Sequence, residues 1–138
     1  MSRSAPSADQ LDALVAEARA ARDRAYAPYS RFHVGAALLA DDGRVIPGAN
    51  VENASYGLSM CAERTAAFRA ASEGARRLVA VAVVASNEEP TWPCGACRQV
   101  LWEFGPDMMV VSEGSGGRRE ERRLADLLPD AFGPADLA

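Results

Sequence analysis

Apolar residues recur at helical spacing near the start of the chain, where Leu11, Leu14, Val15, Ala18 and Ala25 share one face and Ser7 stands in the place of an N-cap. A helix over roughly residues 8–25 is predicted, ended by Pro28. The pattern then changes to short apolar runs. His33 to Ala40 and Arg44 to Pro47 flank Asp41-Asp42-Gly43, a turn signal, and predict a hairpin. A second helix is expected to start near Cys61. Leu78 to Ala85, rich in valine and alanine, reads as a buried strand, Gly95 to Phe104 as a third helix, and Met108 to Ser112 as another strand. Leu124, Leu127 and Leu128 predict a short terminal helix that Pro129 closes. The run Arg118 to Arg123, interrupted by Glu120 and Glu121, reads as a solvated loop or a helix start. A hairpin followed by alternating helices and strands predicts a mixed central sheet covered on its faces by helices, a three-layer α/β/α sandwich.

Composition narrows the setting. The 138 residues suit one domain spanning 1–138, and a chain that is 49% hydrophobic can bury a core. No apolar run approaches the ~20 residues needed to span a membrane, and the opening MSRSAPSADQ lacks the apolar stretch of a signal peptide, so a cytoplasmic protein is expected. The net charge of −4 disfavours a nucleic-acid partner, because phosphate neutralisation needs a basic surface. Three cysteines, two of them in a CxxC, point away from a secreted disulfide framework and toward metal or redox use.

All three thiols fall into one pattern. Cys61-Ala62-Glu63 is followed by Pro93-Cys94-Gly95-Ala96-Cys97, which places Cys61, Cys94 and Cys97 to hold one zinc ion and sets a carboxylate two residues from the first ligand. Structural zinc sites close their tetrahedron with four protein ligands, whereas catalytic ones keep a position open for water. Two predicted helices begin at the ligands, so their free N–H groups and positive dipole ends favour thiolates. Arg64 offsets the excess negative charge of three thiolates around a divalent ion. Gly95 suits a tight turn in which both thiols of the CxxC face one ion. A glutamate at a helix start is most often a solvated residue, but beside an open zinc site Glu63 is placed to carry protons. A dithiol redox pair would leave Cys61 and Glu63 unexplained.

With cysteine in the histidine place, this spacing is the signature of zinc nucleobase deaminases. The chain resembles the cytidine deaminases of the small, three-cysteine, homotetrameric type. The likeness runs from Ala25-Tyr26-Ala27-Pro28-Tyr29-Ser30 through Phe32-His33-Val34-Gly35-Ala36-Ala37, Asn50-Val51-Glu52-Asn53-Ala54 and Cys61-Ala62-Glu63-Arg64-Thr65-Ala66 to Pro93-Cys94-Gly95-Ala96-Cys97-Arg98-Gln99-Val100. It implies hydrolysis of cytidine and 2'-deoxycytidine to uridine and 2'-deoxyuridine with release of ammonia, a step of pyrimidine salvage, with one zinc per chain. It further implies that Phe32 packs against the pyrimidine ring, that Asn50 and Glu52 bind the ribose hydroxyls, that the Ala62 N–H holds the ring carbonyl, and that Glu63 bonds ring N3 and moves protons while activated water attacks C4. By the same likeness the carbonyl of Trp92, where a small or polar residue is commoner, faces the leaving amine. The resemblance also implies that the Ala54 backbone and Tyr56 reach a neighbouring subunit's site and that Phe132 covers a neighbour's pocket.

Each assignment has a plainer counterpart. Phe32 alone reads as strand core, Asn50 to Asn53 as a polar loop, Ala54 and Tyr56 as loop residues, and Phe132 as an anchor for its own tail. His33, the only histidine, is a fourth ligand by residue type but a strand residue by its alternation with Phe32 and Val34. Two other readings compete: a nucleoside-antibiotic deaminase of the blasticidin S type, which shares the three-cysteine core but against which Asn50 and Glu52 argue, and a non-catalytic zinc-stabilised interaction module, which needs a fourth protein ligand.

Overall fold

Helix α1, Ala8–Arg22, starts at a capping box: Gln10 N–H donates to Ser7 Oγ at 3.1 Å and Ser7 N–H to Gln10 Oε1 at 2.9 Å. These contacts come from a computed structural model of the chain, which describes residues 5–137; the expectations for the outermost N-terminal residues fall partly outside that range. The helix stops at Arg22 instead of running on to residue 25. Ala25 is drawn off the helical path because Tyr26 pairs with the segment around Val51, donating to Asn50 O and accepting from Glu52 N–H. Strands β1, Val34–Ala40, and β2, Val45–Ala49, form the expected hairpin, with Gly43 at φ +93° in the turn, a conformation that glycine adopts without steric cost.

Helix α2 spans Ala62–Ser72, strand β3 Leu78–Ala85, helix α3 Gly95–Phe104, strand β4 Met109–Glu113, strand β5 Arg119–Arg123 and helix α4 Leu124–Leu127. The sheet order is β2-β1-β3-β4-β5, with β3 and β4 parallel and the other pairs antiparallel. Strands β1 and β3 are covered on both faces, and alternate residues belong to different cores. Ala37, Leu39, Ala80, Ala82 and Val84 pack with Leu11, Leu14, Val15 and Ala18 of α1, while Leu38, Val81 and Val83 pack with Ala62, Ala66 and Ala70 of α2 and Leu101 of α3. The fold is thus the expected three-layer sandwich with a mixed sheet. Among the described residues no helix is long and apolar enough to cross a membrane.

One element departs from the sequence reading. Arg119–Arg123 is neither loop nor helix start but an edge strand in register with β4, Val111 opposite Glu121. An edge strand needs a backbone partner on one side only, so its side chains stay solvated even as its main chain pairs. The charges that suggested a loop are balanced locally: Glu120 pairs with Arg118 at 3.0 Å and Arg122 at 2.8 Å, and Arg119 pairs with Asp12 of α1 at 2.6 Å.

Both helical layers approach the sheet at glycines. A Cβ on Gly35 would lie 1.9 Å from Ala18 O in α1, and one on Gly48 would lie 2.5 Å from Ala66 N in α2. The obstructing atoms are backbone, which cannot swing aside as a side chain can. Gly35→Ala and Gly48→Ala should therefore each lower stability by about 3 kcal/mol in urea unfolding, the cost of forcing packed layers apart. A loss below about 0.5 kcal/mol, the range of surface substitutions, would show that the helices slide freely on the sheet.

Candidate active site

The start of β1 and the ends of β2, β3 and β4 lie at one end of the sheet, the end at which open α/β sheets present their clefts. A pocket of about 230 Å³ opens there, lined by Phe32, Val34, Asn50, Glu52, Ser59, Met60, Cys61, Ala62, Glu63, Val83, Thr91, Trp92 and Cys94. Cys61 is the N-cap residue of α2 and Cys94 that of α3, and Cys97 lies in the first turn of α3. Both helix starts aim unpaired N–H groups at the thiols. The three sulfurs lie within 4.8 Å of one another.

This donor set fits zinc. Four ligands at about 2.3 Å in a tetrahedron hold their sulfurs about 3.8 Å apart; Cys61 Sγ and Cys94 Sγ are 3.8 Å apart, and Cys94 Sγ and Cys97 Sγ 3.5 Å. His33 does not join them. Its Nδ1 lies 3.1 Å from Arg31 O, and its main chain is tied to Ser86. Arg64 reaches the cluster from the first turn of α2, Nη2 donating to Cys61 Sγ at 3.5 Å, while its buried Nε has no hydrogen-bond partner. Hydrogen bonds from Cys97 and Arg64 pull the Cys61 thiol down to about 5. Cys97 is pushed up, by its bond to the Cys61 sulfur and by burial.

Glu63 opens on the same pocket. It is 5% exposed, and burial lifts its carboxyl to about 7; the Cys61 charge adds to the rise, while its own N–H and Arg64 oppose it. A carboxyl held near neutrality can both take and give a proton, which suits acid–base work at physiological pH. The expectation for Gly95 is not met. Its φ is not in the left-handed region and a Cβ there would meet nothing within 4 Å, so the CxxC geometry comes from a regular helical first turn, which already turns Cys94 and Cys97 toward one point.

The remaining residues divide into those on the pocket and those away from it. Phe32 follows Arg31, whose φ of 60° reverses the chain, and donates its N–H to Ser30 Oγ. Asn50 and Glu52 line the pocket, but each also holds its own chain: Asn50 Oδ1 accepts from Val34 N–H and its Nδ2 donates to Phe32 O, while Glu52 accepts from Tyr29 N–H, Ser30 N–H and the Ser30 hydroxyl. Glu52 Oε1 is filled by its two N–H donors, whereas Asn50 Oδ1 and Glu52 Oε2 each retain a lone pair for a further donor. Trp92 packs against the core beside α2 and α3, with the Arg122 guanidinium 4.8 Å from its ring centre. Ala54, Tyr56 and Phe132 do not reach this pocket within one chain. Tyr56 is 72% exposed, edge-on to Tyr29, and Phe132 is 59% exposed.

Sequence reasoning missed Val34, Ser59, Met60, Val83 and Thr91 on the pocket wall, and Ser30 as the partner of Glu52. For Ser59, Met60 and Thr91 the available signal was their place just before the ligand-bearing segments. Nothing local marked Val34 or Val83.

A buried carboxyl beside three thiols, at two helix starts over a mixed sheet, is the arrangement of zinc-dependent nucleobase deaminases. Comparison with known proteins agrees. The family described as the cytidine and deoxycytidylate deaminase zinc-binding region matches residues 8–113. A cytidine deaminase from Halalkalibacterium halodurans is 57% identical over 125 residues, covering 90% of this chain and 95% of that relative. One from Sporosarcina psychrophila is 51% identical over 129 residues, 93% of this chain and 95% of the relative. The crystal structure of cytidine deaminase from Burkholderia pseudomallei superposes with a TM-score of 0.85 at 54% identity, covering 88% of this chain and 98% of that one. The chain belongs to the cytidine and deoxycytidylate deaminase family, and zinc is the metal its donor set takes.

The purified protein should carry about one zinc per chain. Elemental analysis of Cys61→Ala, Cys94→Ala and Cys97→Ala should show that metal lost in each, while Glu63→Gln retains it; retention in any cysteine variant would remove that thiol from the site.

Proposed function

We propose that this chain, a single domain over residues 1–138, hydrolyses cytidine and 2'-deoxycytidine to uridine and 2'-deoxyuridine with release of ammonia, and that the pocket at the sheet end is its active site. The observation that carries this reading is Glu63: a buried, proton-holding carboxyl on the same pocket as Cys61 and Cys94. Relatives at 51–57% identity bear the name cytidine deaminase. Cys61, Cys94 and Cys97 hold the zinc, which supplies Lewis-acid activation of water when bound.

The chain's own groups do the rest. Glu63 takes one proton from the attacking water and delivers it to ring N3 as the C4–O bond forms. It then takes the second proton of that oxygen and delivers it to the amine as the C4–N bond breaks and the C4 carbonyl forms, so the leaving group is ammonia and not an amide anion. The Ala62 N–H, at the start of α2, holds the ring carbonyl, and the Trp92 carbonyl accepts from the amine. Phe32 gives the pyrimidine an aromatic face. Asn50 and Glu52 accept the ribose hydroxyls, and because they are braced by the β1 entry and by Ser30 they need little reordering to do so. Arg64 offsets the thiolate charge.

The working species is a homotetramer in the cytoplasm, with Ala54, Tyr56 and Phe132 serving a neighbour's pocket. Exposed Tyr26, Val51, Tyr56, Leu58 and Phe68 supply apolar surface for such contacts, and three free cysteines suit a reducing compartment. The substrate is a free nucleoside and not a nucleic acid, in keeping with the net charge of −4.

A substrate panel followed by ammonia release tests the reading. Cytidine and deoxycytidine should turn over, cytidine monophosphate should be poor because Glu52 repels an anion brought close, and Glu63→Gln should lose a factor on the order of 10²–10⁴ in kcat. Activity confined to blasticidin S would move the chain to the antibiotic deaminases, and no activity on any nucleoside with zinc bound would favour the interaction module. For the shared pocket, mixing Glu63→Gln with Phe132→Ala chains should recover part of the activity, since some boundaries then pair an intact Glu63 with an intact Phe132. Mixed oligomers verified by mass that regain nothing, despite a large loss in Phe132→Ala alone, would assign Phe132 to its own subunit.

A further inference from the structure

Ser112 is a hydroxyl buried at 0% exposure in β4, beside Val110 and Val111. Burying a hydroxyl costs free energy unless it is hydrogen-bonded, and this one has a single use: it donates to the carbonyl of Thr91 at 2.7 Å. Thr91 begins the stretch Thr91-Trp92-Pro93 that leads into Cys94, and Thr91 and Trp92 wall the pocket. Two further contacts hold the stretch. Asn87 Nδ2 donates to Thr91 Oγ1 at 3.3 Å, and Arg98 Nε, from α3, donates to Pro93 O at 2.7 Å. The carbonyls on either side of Trp92 are thus each claimed by a side chain from a regular element, β4 or α3. Among the described residues nothing donates to the carbonyl of Trp92 between them.

Two fixed carbonyls leave the one between them little freedom, because the proline ring locks its own φ and each peptide is planar. We propose that Ser112 is a positioning residue for deamination: by holding Thr91 O it aims the free Trp92 carbonyl into the pocket, where it accepts a hydrogen bond from the departing amine. The inference rests on the proposed deamination of cytidine. Ser112 touches no substrate atom and acts through the main chain of Thr91 and Trp92. A carbonyl that must meet an N–H in the transition state loses its effect when it is misaimed by a fraction of an ångström, so removing the clamp slows the chemical step more than it weakens binding.

The test compares the zinc-loaded wild type with Ser112→Ala and Ser112→Thr. Cytidine turnover is measured alongside inhibition by uridine, which carries an oxygen where cytidine carries the amine and so offers that carbonyl no N–H. In Ser112→Ala, kcat on cytidine should fall about tenfold with KM and the uridine inhibition constant each within about twofold of wild type, and Ser112→Thr, which keeps the hydroxyl, should recover most of the loss. Zinc content and melting temperature are read on the same samples. An unchanged kcat in Ser112→Ala would overturn the proposal. So would a fall in kcat accompanied by an equal weakening of uridine, which would mean that the whole pocket had loosened. If the wild type itself fails to deaminate cytidine, the functional reading fails and the clamp has no amine to serve.

Discussion

The seat of α2 on the sheet is the constraint from which the site follows. Its inward face is Ala62, Ala66, Ala67 and Ala70, all buried, and it meets Gly48 of β2 at backbone distance. With no bulk between helix and sheet, neither translation nor rotation of α2 is free, because interiors are close-packed and resist sliding. The start of the helix is thereby set against the start of β1, and with it Cys61, Ala62 and Glu63. Leu101 of α3 enters the same core. Its start brings Cys94 and Cys97 to the point that Cys61 already occupies. Small residues at the seam between helix and sheet therefore decide where the sulfurs meet.

That convergence has an electrostatic logic. Three thiolates and a carboxylate in one partly buried place would repel strongly, and the fold supplies the compensation as part of its architecture. Two helix N-termini face the sulfurs, and Arg64 donates to Cys61 from the first turn of α2. Glu63 is not compensated in the same way. Its burial outweighs the opposing pull of its own N–H and of Arg64, so its carboxyl is raised to about 7, where it can both take and give a proton.

Elements whose residues face a core were legible from their spacing. Strand β3 has the predicted bounds because its apolar run is unbroken, helix α3 because Pro93 precedes it and Gly105-Pro106 stop it, and Ser7 caps α1 as its type and place suggested. The edge strand β5 was not legible, since the apolar pattern records burial and β5 buries no side chain deeply. The end of α1 was misjudged for a related reason: the bridge from Tyr26 to Val51 is a backbone bond between distant segments and leaves no local mark. At the site, the thiols and Glu63 were legible because metal and proton chemistry need particular residue types at particular spacings. Thr91 and Val83 were not, because a pocket wall asks only for shape.

The sequence by itself determined the chemistry this chain can do: three thiols, one adjacent carboxyl and one arginine are covalent facts, and their spacing put each ligand at the start of a helix that its neighbours already specified. Only the tertiary structure decided how those groups behave. Burial lifts the Glu63 carboxyl to about 7, hydrogen bonds from Cys97 and Arg64 favour the Cys61 thiolate, and Asn50 and Glu52 brace the pocket wall they line. A side chain's identity fixes what protons and electron pairs it owns, whereas solvation and neighbouring charge fix the free energy of using them, and both belong to the packed molecule.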